Sequence, residues 1–171
     1  MATGEKKPLV LIAADASEHT AKAIDWYIRE IHKPEFQVLL INVTEVILDA
    51  DSVLQIEEDV HINLWQQVAE RAEVLKKTLT DKFESHGISD VEARIVEGGR
   101  PGEVIVEQAE ELGASMVVMG TRGMGTLRRT ILGSVSDYVI HHAHCPVLVY
   151  RLSPEDDQDS VLSKYTRVGA V

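Results

Sequence analysis

The chain has 171 residues, 44% hydrophobic and 26% charged, and its 28 acidic side chains against 17 basic ones give a net charge of −11. That length suits one domain with a real core and is short for two, and the ordinary composition disfavours disorder. The acidic balance argues against broad binding to nucleic acid or to anionic membrane, since both need a basic surface.

No apolar run approaches the ~20 residues needed to cross a bilayer. The first residues, Met1 to Pro8, are polar and lack an apolar core of the signal-peptide kind, so the cytoplasm is the expected address. Cys145 has no second cysteine to pair with, which agrees with a reducing compartment.

Leu9 to Ala14 is an apolar run that predicts a first buried strand, ending at Asp15. Ser17 offers an N-cap, and Ile24, Tyr27, Ile28 and Ile31 recur at helical spacing, so a helix is expected over about 18–32, stopped before Pro34. Gln37 to Val43 is a second strand, apolar on both faces and therefore central. Residues 44–60 mix apolar and acidic side chains and fit a partly ordered loop or a short extra helix. Leu64, Val68, Ala72, Leu75, Leu79 and Phe83 then mark a helix over about 61–86 that Gly87 stops.

Val91, Ala93 and Ile95 alternate with Glu92 and Arg94, the pattern of a strand at a sheet edge. Pro101 suits the first position of a helix running to about Leu112 and ended by Gly113. Ser115 to Met119 is a fourth strand, Ser134 to about His142 a last helix, and Pro146 to Tyr150 a fifth strand. Residues 152–171 are acidic without periodicity and read as a flexible or weakly docked tail behind a single domain of residues 1–151.

Strands alternating with helices predict an α/β fold: an open, parallel five-stranded sheet with helices on both faces, most simply in the order 3-2-1-4-5. Ligands of such sheets bind outside the carboxyl ends of the strands, where strands 1 and 4 send their chains in opposite directions. Asp15, Val43 and Met119-Gly120 stand at those ends. Gly120, Gly123, Gly133 and Ser134 then form a glycine-punctuated block between an apolar strand and a helix, a chain pattern suited to phosphate because backbone can approach an anion where side chains are missing.

Two familiar phosphate motifs are absent. No Gly-Lys pair exists for a P-loop, and Gly123-x-Gly125-x-x-Arg128 lacks the third glycine of a dinucleotide fingerprint and follows the wrong strand. The block from Gly120 to Ser134 contains no lysine and no general base, and no nucleophile elbow occurs, so no catalytic residue is assigned. His141, His142, His144 and Cys145 invite a metal reading, but Pro146 must unwind the helix there and adjacent histidines point apart; no metal ligand is assigned.

The spacing Gly120-x2-Gly123-x9-Gly133-Ser134 resembles the nucleotide-binding signature of the universal stress protein family. The resemblance covers roughly residues 7–151, including Asp15-x-Ser17 after the first strand, Gly99-Arg100-Pro101-Gly102 before the third helix, and Cys145 to Val149. It implies a Rossmann-like fold akin to the adenine nucleotide alpha hydrolases, binding of ATP with Mg²⁺ or Mn²⁺ held through the phosphates, and a role in the response to stress. Asp15 matches the carboxylate that meets the ribose hydroxyls, Val43 the residue that meets adenine through its backbone, and Met119 a lining residue. Gly120, Gly123, Gly133, Ser134, Val135 and Ser136 match positions that enclose the phosphates. Arg128 and Arg129 are either phosphate partners or surface arginines.

Two further readings stay open. Strand 5, from Pro146 to Tyr150, is an apolar sheet edge, which suits a homodimer; the chain would then be a dimeric signalling or interaction module with a vestigial pocket. Slow ATP hydrolysis rests on fold analogy alone.

Overall fold

The computed structural model describes residues 7–44, 58–121 and 132–152. Nine elements follow one another: β1 (Leu9–Ala13), α1 (Glu18–Glu30), β2 (Gln37–Thr44), α2 (Glu58–Ser85), β3 (Val91–Glu97), α3 (Pro101–Leu112), β4 (Met116–Gly120), α4 (Ser134–His142) and β5 (Val147–Tyr150). The strands form one sheet in the order β3-β2-β1-β4-β5, and every pairing is parallel. Expected and observed strand orders coincide. The helix expected from residue 61 begins at Glu58, and β2 runs on to Thr44; of the ambiguous 44–60 segment, residues 45–57 lie outside the described residues, as do residues 153–171 of the tail.

Period-two alternation divides the central strands between two cores. Val10, Ile12, Val38, Leu40 and Val118 face α1 and α2, packing with Ile24, Tyr27, Leu79 and Phe83. Leu11, Leu39, Ile41, Val117 and Met119 face α3 and α4, packing with Ile105, Ala109 and Val139. A strand buried on both faces must be apolar throughout, which is why β1, β2 and β4 read as continuous runs. By contrast β3 alternates half-buried and exposed residues over most of its length, as befits its place at the edge.

Helix ends follow local chemistry. Ser17 caps α1 by accepting the Thr20 N–H at 3.2 Å, and Pro101 occupies the first turn of α3. Both α2 and α3 end on a left-handed glycine, Gly87 (φ +75°) and Gly113 (φ +64°). In each, two backbone N–H groups fold back on the last turn: Gly87 to Glu84 O and Ile88 to Phe83 O, Gly113 to Glu110 O and Ala114 to Ala109 O. A further glycine, Gly102, lets α3 meet α4 closely, since a Cβ there would stand 3.0 Å from the Tyr138 ring.

Parallel strands joined by helical crossovers bring α1, α3 and α4 to start at the carboxyl edge of the sheet. Helix N-termini, each the positive end of its dipole, therefore gather at one edge of an acidic protein, those of α1, α3 and α4 among them.

Candidate functional site

At the carboxyl edge, β1 ends and the chain turns into α1 through Asp15 and Ser17. The Asp15 Oδ1 accepts three hydrogen bonds: from the Ser17 N–H at 3.1 Å, from the Ser17 hydroxyl at 2.5 Å and from the Thr20 hydroxyl at 2.5 Å. The Asp15 N–H in turn donates to Thr20 Oγ1 at 3.3 Å. Beside it the Asn42 side chain donates to Ala14 O at 2.8 Å, tying the end of β1 to β2. Ser17 is legible in the sequence as a cap; the roles of Thr20 and Asn42 are not. The spacing Asp15-x-Ser17-x-x-Thr20 is the signal that could have found Thr20.

β2 continues past the end of β1. Gln37 N–H donates to Pro8 O and Ile41 O accepts from Ala14 N–H, whereas Val38 N–H donates to Asp90 O and Thr44 O accepts from Gly98 N–H. Alternate residues thus serve alternate neighbours, and Val43 directs its N–H and C=O to the β1 side, beyond the last β1–β2 pair of Ala13 with Ile41. Its side chain packs with Ala13 against the core that also contains Met119, so Ala13, Val43 and Met119 share one face.

Across the switch point, β4 ends at Gly120. A Cβ on Gly120 would lie 2.9 Å from His19 Cβ and 3.1 and 3.2 Å from the His19 carbonyl carbon and oxygen, so this glycine admits the first turn of α1 against β4. Thr121 is buried and donates its N–H to Tyr150 O; its own carbonyl accepts the Gly133 N–H at 2.9 Å. The chain therefore leaves and returns at one point of the edge. Gly123, Arg128 and Arg129 lie outside the described residues.

Gly133 is the N-cap of α4 and brings no side-chain cap to the first turn. Ser134 is exposed, and Val135 is half-buried against the α3–α4 core. Ser136, only 2% exposed, directs its hydroxyl to Thr121 O at 3.0 Å and Gly133 O at 2.9 Å. Its hydroxyl thus fastens α4 to β4, and what it can offer a ligand is its backbone N–H.

The histidines near the end of α4 part company. His141 and His142 each turn Nδ1 to a carbonyl one turn back, His142 stacking on Tyr138 at 3.9 Å between ring centroids, while His144 stands 3.9 Å from Glu110. Burial pushes the Cys145 thiol above its ordinary value, in keeping with a small apolar packing group. Among the described residues no group of three or more His, Cys, Asp or Glu could hold a metal, and no helix is long and apolar enough to cross a membrane.

A groove of about 900 Å³ lies elsewhere, along α1 from Trp26 and Tyr150 to the amino edge at His32, Phe36 and Asp90. Volume alone does not make it a ligand site. It is open, and the Lys7 ammonium is bonded to Asp90 at 2.7 Å, holding that carboxyl below its ordinary value. The carboxyl edge, in contrast, gathers an acceptor carboxylate, an outward-facing strand backbone and a helix N-terminus with no side-chain cap. Such a donor and acceptor set suits a sugar, an aromatic base with a polar rim, and phosphate respectively.

Residues 9–151 match the universal stress protein family. The universal stress protein PHOS32 of Arabidopsis thaliana is 33% identical over 169 residues, which cover 86% of this chain and 65% of that protein. The chain thus spans about two thirds of the plant relative's length. Among solved structures, the hypothetical protein MJ0577 superposes with a TM-score of 0.70 at 26% identity, over 88% of this chain and 99% of that one. The universal stress protein from Archaeoglobus fulgidus in complex with dAMP gives 0.59 at 17% identity, over 85% and 98%, a likeness of fold.

Proposed function

This chain belongs to the universal stress protein family, and on that premise we propose that it holds an adenine nucleotide at the carboxyl ends of β1 and β4. ATP is the nucleotide proposed, with Mg²⁺ or Mn²⁺ offsetting the phosphate charge through the phosphates themselves. Asp15 takes the ribose hydroxyls, the Val43 backbone meets the polar rim of adenine, and Met119 closes the apolar side. The N–H groups of Ser134, Val135 and Ser136, with the Ser134 hydroxyl, receive the phosphates; Gly120 and Gly133 keep the approach clear of side chains, and Gly123 joins them. The protein then acts in the cytoplasm, in the response to stress, by its nucleotide-bound state.

One observation carries the reading: a carboxylate held by three hydrogen bonds stands at the same sheet edge as a helix start whose N-cap contributes no side chain. The A. fulgidus relative in complex with dAMP supports it at the level of fold. Calorimetric titration of the ligand-free protein with Mg-ATP tests it. Saturable binding that Asp15→Ala weakens is expected, and no binding below about 1 mM overturns it.

The β5 edge favours a compatible second reading, self-pairing into a homodimer from Pro146 to Tyr150. Val147, Leu148, Val149 and Tyr150 are each half-buried at an open parallel edge, and Tyr150 packs its ring 5.9 Å from Trp26. Sedimentation should show a dimer that Val149→Lys converts to monomer; a wild-type monomer refutes the assignment.

A further inference from the structure

We propose that Thr20 is a positioning residue for nucleotide selectivity, acting through Asp15 to make the site read the sugar hydroxyls. The inference rests on the nucleotide reading above and assigns what aims its carboxylate.

Thr20 lies in the first turn of α1, three residues after the cap, and is 4% exposed. It makes a closed exchange with Asp15, donating its hydroxyl proton to Oδ1 while its oxygen accepts the Asp15 N–H. Ser17 does the complementary work. Its hydroxyl proton also goes to Oδ1, and its oxygen receives the Thr20 N–H. The two hydroxyl oxygens stand 3.4 Å apart with both protons already committed to Asp15, so neither can serve the other.

With the Ser17 N–H added, three donors converge on one carboxylate oxygen. That oxygen is held by the chain itself. The direction of Oδ2 is set once Oδ1 and the backbone N–H are pinned at opposite ends of the side chain. Asn42 completes the mounting by holding the preceding carbonyl, Ala14 O, against β2. A carboxylate on a freely rotating side chain would have to be ordered by each ligand; this one is ordered beforehand.

The discriminating probe is a pair of nucleotides that differ only in the sugar hydroxyls. Mg-ATP and Mg-2′,3′-dideoxy-ATP are titrated into the full chain as wild type, Thr20→Val, Thr20→Ser and Ser17→Ala. Wild type should prefer ATP by about tenfold or more, the size expected for hydrogen bonds to a charged group. Thr20→Val should weaken ATP about tenfold and dideoxy-ATP less than about twofold, and Thr20→Ser should restore the preference. Equal weakening of both nucleotides by Thr20→Val, or no weakening of either, overturns the positioning role and leaves the nucleotide reading intact. A wild type that binds both equally, or neither, overturns the ribose role of Asp15 and with it this inference. Should Thr20→Val not fold, the half-buried Ser17→Ala carries the same test: a smaller loss confined to ATP supports the clamp, and a loss shared by both nucleotides refutes it.

Discussion

The two edges of one sheet are built to opposite ends. At the amino edge, polar groups pair with one another: the Tyr27 hydroxyl meets His32 Nδ1 at 3.1 Å, and Lys7 and Gln37 both bond Asp90. Around them Tyr27 packs on Phe83, with ring centroids 6.3 Å apart, and both side chains are 0% exposed. At the carboxyl edge, polar groups converge instead on Asp15, and the helix N-termini arrive on the same side. The groove lined by Trp26, His32, Phe36 and Asp90 lies toward the amino edge, and the convergent polar groups lie at the other. Ligand recognition follows convergent, oriented groups and not volume.

The sharpest way to test that division is to damage one edge and measure both. Phe83→Ala removes the fully buried ring that joins α2 to Tyr27 and should cost about 3–5 kcal/mol of stability. Denaturant unfolding reads the loss, while nucleotide affinity of the still-folded protein should stay within about twofold. A large change in affinity would erase the separation between the edges.

Gly120→Val strikes the carboxyl edge and yet should act first on folding. The added Cβ meets the main chain of His19, which cannot rotate aside as a side-chain tip would, and overpacking of this kind costs about 1–3 kcal/mol. Thermal melting of ligand-free protein checks it. Unchanged stability would show that the approach of α1 to β4 does not require this glycine, leaving the phosphates as its reason.

The smallest effect is a pH slope from the amino edge. Burial lowers the His32 pKa from its ordinary 6.5, so just below that pH the unfolded chain takes up a proton that the folded one refuses. Stability is therefore complete above pH 6.5 and declines as pH falls toward the folded value. Unfolding free energy measured across that window should lose part of its slope in His32→Gln. An identical slope in the variant would assign the pH dependence to the carboxylates.

Much of this was legible in local chemistry. Continuous apolar runs marked the inner strands and the alternation from Val91 marked an edge, because burial on two faces or one dictates those patterns directly. Ser17, Pro101, Gly87 and Gly113 announced helix ends through their own backbone needs. Ser136 shows where such reading stops. Its place in the glycine-serine block matched a phosphate contact, but in the folded chain its hydroxyl bonds Thr121 O and Gly133 O. Thr20 shows the reverse, an ordinary helix residue by pattern whose hydroxyl fixes the site carboxylate.

By itself the sequence determined the elements, their likeness to one family and the order of the strands, because hydrophobic period, capping and crossover handedness are properties of short segments. Only the tertiary structure decided which polar atoms of those segments bond one another. Gly120 beside His19, Ser136 beneath Thr121 and Thr20 against Asp15 are contacts among atoms of different elements or across a turn. Their partners are set by how the helices dock on the sheet, which no single segment encodes.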